Sequence, residues 1–353
     1  MAGAASYAAA LALFISYMSD ITFKMTAATH VGLVRSNNED NFIVNPDLTS
    51  PDWFVPQETD NVIPLGKYGC LMVVADGMGG MNAGEVASEL AVNGVRKSFS
   101  EVEDYSKIID SSSHIESFMK KVIVAADSDI KRKVKEDPST SGMGTTIVMA
   151  WVIDNVVHVA WCGDSRAYLF NKQSGLSRLS RDHSYVQQLV DTGKLDPELA
   201  FDHPNSNIIT RSLGDSSNAA QPDYVCKGLS AGDMILLCSD GLCGLIRDEE
   251  ILDILMQEHE SIDDYRNELF KGALDAGGHD NITIALLECM AVQESDMVRT
   301  LSTTVKPKQR NFKWLWILFA LFLLACIVYL LFSMGWVTFI QDFPYVHFNR
   351  FNS

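Results

Sequence analysis

Basic residues are scarce in this sequence. It has 28 lysines and arginines against 45 aspartates and glutamates, which gives a formal net charge of −17 at pH 7. Such a chain repels the phosphate backbone of nucleic acid, so we exclude nonspecific nucleic-acid binding. The hydrophobic fraction of 47% is ample for a packed core, which excludes an intrinsically disordered chain.

Paired cysteine motifs are absent as well. The seven cysteines are odd in number, and no CxxC sequence occurs. Most of them lie within apolar runs, as reduced core cysteines do. We therefore expect neither disulfide bonds nor a zinc site.

One long stretch has no charge at all, namely residues 314–332, WLWILFALFLLACIVYLLF. A helix of this length, rising about 1.5 Å per residue, can cross a bilayer core of about 30 Å. The alternative is a buried helix of a globular core, which is rarer because soluble helices of this length have a polar face. Basic residues are concentrated before the stretch, at Lys306, Lys308, Arg310 and Lys313, and only Arg350 follows it. This asymmetry predicts that the preceding domain is cytoplasmic.

These features divide the chain into segments. We expect a catalytic domain at 18–290, a basic juxtamembrane linker at 291–313, a transmembrane helix at 314–336 and a tail outside the cytoplasm at 337–353. The chain would be a single-pass protein of the inner (cell) membrane, in contact with membrane lipid. Residues 1–17 resemble the apolar part of a signal peptide but lack a basic start. We favour translation from Met18, with residues 1–17 as a non-native or disordered extension.

Strand-like and helix-like segments alternate between residues 21 and 288. Apolar, β-branched segments predict strands at 21–29, 70–75, 145–151, 156–162, 166–170, 233–238 and 281–288. Helical segments are predicted at 83–100, 114–135, 185–192, 248–257 and 262–276. A turn at Asp154 and Asn155 predicts a hairpin, and hence antiparallel sheets with helices packed on them. Residues 194–222 are too many for a turn, so we expect a surface flap or a small subdomain there.

Acidic residues at strand ends are the informative chemical pattern. They stand at Glu39, Asp40, Asp76, Asp164, Asp240 and Asp280. A single Asp-Gly pair, as at Asp76 or Asp240, is more often only a turn. Several carboxylates at one sheet edge, however, repel one another unless cations or protons intervene. Oxygen ligands without cysteine or histidine favour Mg²⁺ or Mn²⁺, and a following glycine would let a backbone carbonyl approach the ion.

Eight short motifs lie in the order in which a known family carries them. They are RSNNED at 35–40, VVADGMGG at 73–80, SGMGTT at 141–146, GDSRAY at 163–168, RDHS at 181–184, ITRSLGD at 209–215, SDGL at 239–242 and DNIT at 280–283. In this respect residues 21–288 resemble the metal-dependent serine/threonine protein phosphatases of type 2C, especially the bacterial branch. The resemblance implies an α+β fold, a four-layer αββα sandwich of two antiparallel sheets flanked by helices.

The resemblance also implies a set of metal ligands for two or three Mn²⁺ or Mg²⁺ ions. Asp76 would bridge two ions, and the carbonyl of Gly77 would be a further ligand. Asp240 and Asp280 would complete this pair of sites. Asp164, together with Asp240, would hold a third and weaker ion. Two such ions can lower the pKa of a shared water and aim the hydroxide at phosphorus, so that no covalent phosphoenzyme is needed.

Three further residues receive roles from the resemblance. Arg35 would bind the substrate phosphate through a forked pair of hydrogen bonds. Glu39 and Asp40 would act through metal-bound water or support the ligands from behind. The general acid is left open, because several family members carry a histidine where this sequence has Met81. A metal-bound water or His183 are the alternatives, although a histidine after an aspartate is more often structural.

The sequence thus predicts a phosphoprotein phosphatase acting on phosphoserine and phosphothreonine. Its partners would be phosphorylated proteins, among them a serine/threonine kinase expected from the family alone. A membrane-tethered sensor or adaptor without turnover and a small-molecule phosphatase are the alternatives. Asp76, Asp240 and Asp280 disfavour the adaptor, because a protein without catalysis has no physical need for mutually repelling carboxylates.

Overall fold

A computed structural model describes residues 21–53, 61–79 and 83–291 of the 353-residue chain. The extension expected at 1–17, the transmembrane helix at 314–336, the tail at 337–353 and, apart from its first residue, the linker at 291–313 lie outside these residues. Met81 lies outside them too. Within the described ranges, no helix is long and apolar enough to cross a membrane.

One antiparallel sheet is built around the last strand of the domain. Its strands are β1 (Thr22–His30), β3 (Ile63–Pro64), β8 (Arg166–Asn171), β9 (Gly175–Arg178), β11 (Met234–Cys238) and β12 (Ile282–Ala291). They lie in the order β3-β1-β12-β11-β8-β9. Because β12 pairs with both β1 and β11, the first and last parts of the domain meet in the middle of this sheet.

The second antiparallel sheet contains the predicted hairpin. Its strands are β2 (Asp40–Asn45), β4 (Cys70–Met78), β5 (Gly144–Thr145), β6 (Ile147–Ile153), β7 (Val156–Cys162) and β10 (Asp223–Gly228). The order is β10-β7-β6-β4-β2, with β5 paired to β4. β6 and β7 pair from Ile147 with Cys162 down to Ile153 with Val156, and Asp154 takes a positive φ of 51° in the turn. Aspartate tolerates this left-handed conformation better than most residues do. The antiparallel pairing of β6 with β7 across this turn confirms the predicted hairpin.

Three of the six described α-helices begin with a serine cap. The six helices are α1 (Ala83–Ser100), α2 (Ser112–Glu136), α3 (Tyr185–Asp191), α4 (Asp240–Cys243), α5 (Asp248–Met256) and α6 (Ile262–Asp275). The side chains of Ser111, Ser184 and Ser261 accept hydrogen bonds from backbone N–H groups in the first turns of α2, α3 and α6. Each serine satisfies a donor that the helix itself leaves unpaired.

Three apolar interfaces give the domain four layers. Helices α1 and α2 pack on the second sheet, where Phe99 meets Trp151 edge to face with ring centroids 5.0 Å apart. Phe23 and Val74 lie between the two sheets. Leu236 and Leu269 lie where the first sheet meets α4, α5 and α6. The expectation of two antiparallel sheets flanked by helices is therefore confirmed.

The elements that were not predicted from the sequence are short or half-buried. β2, β9 and β10 are six, four and six residues long, and many of their side chains are only partly buried. Such strands lack the continuous apolar run that identified the others, because one face or one edge meets solvent. α4 has four residues, too few for a helical period to be recognised.

Candidate active site

The ends of five strands from both sheets meet at an edge that we call the acidic rim, formed by Asp40, Asp76, Asp164, Asp240 and Asp280. Asp40 begins β2 and lies directly opposite Asp76 in the ladder between β2 and β4. Asp240 follows β11 at the start of α4, and Asp280 precedes β12. The structure thus brings these five predicted carboxylates together. Three come from the second sheet, Asp40 and Asp76 from within strands and Asp164 from the turn after β7, and two lie beside strands of the first sheet.

The carboxyl groups of Asp76 and Asp240 contact each other through a hydrogen bond. Burial raises the pKa of Asp76 well above its ordinary value, and the charges of Asp240, Asp40 and Asp164 raise it further. The pKa of Asp240 is raised by burial and then by the charge of Asp280. Each group is therefore reluctant to ionise unless a cation lies nearby.

Asp164 occupies the turn after β7. Its side chain is buried, with 7% of the residue exposed, and its Oδ1 atom has no hydrogen-bond partner among the described residues. Burial, followed by the charge of Asp240, raises the pKa of this carboxyl well above its ordinary value. Buried carboxylate oxygens are normally paired, so the unpartnered Oδ1 atom fits a place for a cation.

Asp40 lies deeper in the site than its predicted supporting role suggested. Its Oδ2 atom accepts hydrogen bonds from the hydroxyls of Ser239 and Thr283, each 2.7 Å long. Burial nevertheless raises the pKa of Asp40 to about 8. The two hydroxyls come from beside β11 and from β12, so they fix a carboxyl of one sheet to the other sheet. Both residues lie in motifs of the sequence, SDGL and DNIT, but their contact with Asp40 was not predicted.

Arg35 lies at the exposed edge of the acidic rim. Its Nη2 atom donates a hydrogen bond to Oδ2 of Asp280 at 2.7 Å, and this bond raises the pKa of Arg35 above its ordinary value. About half of the Arg35 side chain, 52%, is exposed. A permanently charged fork in this position can reach an incoming phosphate.

Asn281 joins the loop that carries Arg35 to the loop that carries Asp280. Its side-chain amide donates to the carbonyls of Val31 and Asn37, each at 2.9 Å, and its Oδ1 accepts from the backbone N–H of Glu39 at 2.7 Å. The pKa of Glu39 is raised, first by burial. One amide side chain therefore sets the relative position of these two loops.

The glycines beside Asp76 and Asp240 are required by backbone packing. A Cβ atom on Gly77 would lie 2.2 Å from the carbonyl oxygen of Gly84 and 2.5 Å from that of Glu39. A Cβ on Gly241 would lie 1.9 Å from the carbonyl oxygen of Asn281. We expected these glycines to give an ion access to a carbonyl. The structure adds a second reason, which is close contact between main chains.

The donor set fits a hard divalent cation, although it is not arranged as a finished cage. Within the described ranges, no group of three or more aspartate, glutamate, histidine or cysteine side chains is placed to hold a metal ion. Asp280 instead pairs with Arg35, and Asp76 with Asp240. Buried carboxylates that raise one another's pKa are the ligands that Mg²⁺ or Mn²⁺ neutralises most effectively.

A cavity of about 560 Å³ leads from the acidic rim to the flap, the name we keep for residues 194–222. Asp164, Asp240 and Asp280 are among its lining residues. The flap has no strand or α-helix and contains one 3₁₀ turn at Pro197–Leu199, in agreement with the expected irregular segment. His279, next to Asp280 in the sequence, also lines the cavity and was not among the predicted site residues.

His183 is buried away from the cavity lining and its ring is fully engaged. Its Nδ1 accepts from the backbone N–H of Gly163 at 3.1 Å, which leaves Nε2 to donate to Asp223, also at 3.1 Å. Burial lowers the pKa of His183 below its ordinary value. This geometry supports the structural alternative, in which His183 positions the turn before Asp164.

Comparison with known proteins identifies relatives of this domain. Residues 62–278 match the family model described as Protein phosphatase 2C. The chain is 35% identical to the serine/threonine phosphatase stp of Listeria welshimeri over 224 residues, which are 64% of this chain and 86% of that protein. It is 34% identical to the protein phosphatase PhpP of Streptococcus pneumoniae over 266 residues, covering 75% of this chain and 96% of that one.

Solved structures show the same similarity. The S. agalactiae serine/threonine phosphatase aligns with a TM-score of 0.64 at 32% identity, covering 77% of this chain and 100% of that one. The catalytic domain of the phosphatase PstP, solved with two manganese ions, aligns with a TM-score of 0.60 at 29% identity, covering 76% and 99%. The chain therefore belongs to the protein phosphatase 2C family and is a metal-dependent serine/threonine protein phosphatase.

Proposed function

We propose that the acidic rim is the catalytic centre and that it hydrolyses phosphoserine and phosphothreonine with a water activated by two divalent ions. The observation that carries this proposal is the convergence of buried, mutually repelling carboxylates from both sheets beside the exposed Arg35. A bound Mn²⁺ or Mg²⁺ pair would supply a hydroxide nucleophile and neutralise charge on the phosphoryl group.

Each residue of the centre has a task that its surroundings suit. Asp76, Asp240 and Asp280, with the carbonyl of Gly77, would hold the two ions. Asp164 would hold a third ion together with Asp240. The PstP structure contains two manganese ions, which supports a pair in this chain.

Substrate binding would use the edge of the rim. Arg35 would release Asp280 and bind the phosphate instead, because the guanidinium fork can donate to two carboxylate oxygens or to two phosphate oxygens. Glu39 and Asp40 would support the ligands from behind, Asp40 through its contacts with Ser239 and Thr283. His183 would keep Asp164 in place and would not transfer a proton.

The direct test is phosphate release by the full chain from a phosphothreonine peptide during titration with Mn²⁺ and Mg²⁺. We expect turnover that requires a divalent ion, is abolished by a chelator and is restored when the ion is returned. Binding of the peptide without turnover would contradict the proposal and favour a phosphoprotein-binding adaptor. Hydrolysis of small phosphate esters alone would favour a small-molecule phosphatase.

The uncharged stretch at 314–332 supports a second part of the proposal, a single membrane span at 314–336 that follows a basic linker. The domain at 18–290 would then be cytoplasmic and meet phosphorylated proteins, including a serine/threonine kinase, at the membrane surface. The extension at 1–17 would be absent from the native protein, with translation from Met18.

Cell fractionation tests the span. The full chain is expected to stay with membranes after washing at alkaline pH, whereas a variant lacking residues 314–353 should appear in the supernatant. Recovery of both proteins in the supernatant would contradict the span. Mass spectrometry of the native N-terminus tests the start at Met18.

A further inference from the structure

The arginines that line the cavity beside the acidic rim are all neutralised. Arg166 pairs with Asp182 at 2.7 Å and with Asp248 at 3.3 Å, and Arg178 pairs with Asp182 at 3.6 Å. Arg247 pairs with Asp202 of the flap. None of the three is therefore a free cation that would attract an acidic substrate.

Two glutamates in the same cavity remain without such partners. Glu198 lies in the 3₁₀ turn of the flap, and Glu249 lies in the first turn of α5. Both line the cavity and both are exposed. Neither forms an ion pair with any residue that the structure describes. We call the part of the cavity lined by Glu198 and Glu249 the outer cavity. Its unbalanced charge is therefore negative, with one glutamate from the flap and one from α5.

A contact between the flap and the start of α5 joins the two sides of the cavity that carry these glutamates. The Arg247 guanidinium lies over the ring of Phe201, 4.3 Å from its centroid, and also pairs with Asp202. Arg247 is the residue just before α5, so it joins the side of Glu249 to the side of Glu198. The two glutamates therefore line one cavity whose two sides are joined by the contacts of Arg247.

The cavity also reaches the acidic rim, because Asp164, Asp240 and Asp280 line it together with Glu198 and Glu249. The unpartnered Oδ1 atom of Asp164, buried to more than nine-tenths, belongs to one of these lining residues. A peptide whose phosphorylated residue reaches the rim through this cavity would place a neighbouring residue against Glu198 and Glu249. The occupant that we assign to this part of the cavity is therefore the substrate chain on one side of the phosphorylated residue.

We propose that Glu198 and Glu249 select phosphoproteins that carry a lysine or arginine close to the phosphorylated residue. The inference rests on the proposed function, since it names the class of substrate for the same site. A cation between two carboxylates gains charge-assisted hydrogen bonds, whereas an acidic side chain there is repelled. Because the site is open to solvent, salt weakens this selection.

The test is a set of phosphothreonine peptides in an alanine and glycine background, assayed with the full chain and Mn²⁺. A single arginine or glutamate is placed in turn at each of the four positions before and after the phosphothreonine. At the position that reaches the outer cavity, we expect kcat/KM for the arginine peptide to exceed that for the glutamate peptide by about tenfold at low salt. The ratio should fall in 0.5 M salt.

The variant Glu198→Gln/Glu249→Gln is expected to reduce this ratio to about twofold or less. The matched control is Glu89→Gln/Glu103→Gln, which changes the net charge equally at exposed positions outside the cavity lining and should leave the ratio unchanged. The readout is the ratio of kcat/KM for two peptides measured with the same protein preparation. A lower fraction of active protein in a variant changes both values equally and therefore leaves the ratio unchanged.

The possible outcomes separate the two proposals. A ratio near one at every position, or an equal loss in both double variants, overturns the selection by Glu198 and Glu249 while the phosphatase function stands. Failure to hydrolyse any of the peptides with Mn²⁺ would instead contradict the proposed function. The inference is confirmed if the parent and Glu89→Gln/Glu103→Gln prefer the arginine peptide while Glu198→Gln/Glu249→Gln does not.

Discussion

Replacement of Asp240 by asparagine is expected to lower kcat/KM on a phosphopeptide by about 10³-fold or more, which corresponds to about 4 kcal/mol of transition-state stabilisation. Asparagine keeps the shape of the side chain but removes the negative charge. Asp240 contacts Asp76 and senses the charge of Asp280, so it lies at the centre of the acidic rim. Steady-state phosphate release at saturating Mn²⁺ measures the effect.

The same substitution lowers activity but should not lower the stability of the metal-free protein, which is measured in the presence of a chelator. The pKa of Asp240 is raised in the fold, so the protonated group favours folding and this contribution is lost as the pH rises through the folded-state pKa. In a chelator at pH 8, Asp240→Asn should therefore unfold at the same temperature as the parent or at a higher one. Mn²⁺ should raise the unfolding temperature of the parent but hardly that of the variant.

The matched control for this experiment is Asp253→Asn on the exposed side of α5. It should keep the activity and the response to Mn²⁺. If Asp240→Asn retained a tenth of the parental kcat/KM, or if Mn²⁺ stabilised it as strongly as the parent, Asp240 would not be a metal ligand.

Substitution of Gly241 by alanine is expected to damage both the fold and the site. The new Cβ would lie 1.9 Å from the carbonyl oxygen of Asn281, and a main-chain atom cannot rotate away as a side chain can. α4 would have to move away from the loop before β12, which would separate Asp240 from Asp280. We expect a loss of about 3 kcal/mol, or about 5–10 °C in unfolding temperature. Weaker Mn²⁺ binding should accompany it in a calorimetric titration.

Gly272→Ala in α6 is the matched control, because it is also a helical glycine. Its Cβ would meet only side-chain ends, Ile254 Cδ1 at 3.1 Å and Ile246 Cδ1 at 3.6 Å. Alanine is also the better helix former by about 1 kcal/mol, so this variant should be about as stable as the parent and bind Mn²⁺ equally well. Equal unfolding temperatures and equal Mn²⁺ affinities of the two alanine variants would show that the close contact at Gly241 determines neither stability nor metal binding.

Sequence patterns predicted the strands and helices that are long and apolar, because burial of a whole face leaves a readable period. The acidic residues of the site were predictable for a related reason, since each interrupts or adjoins such a strand. The hydroxyls of Ser239 and Thr283 were not, because their contact with Asp40 depends on how the two sheets dock. The ion pairs of the arginines that line the cavity could not be predicted either, because ion pairing depends on side-chain positions that sequence spacing does not determine.

The division of the acidic rim between the two sheets has a consequence for the newly made protein. Asp40 is separated in sequence from Ser239 by 199 residues and from Thr283 by 243. Contacts of such long range form late, because closing long loops costs entropy before any contact repays it. A chain still emerging from the ribosome, with only its N-terminal strands folded, therefore has half a site and cannot remove phosphate from its surroundings. Enzymatic activity begins only when both sheets are joined.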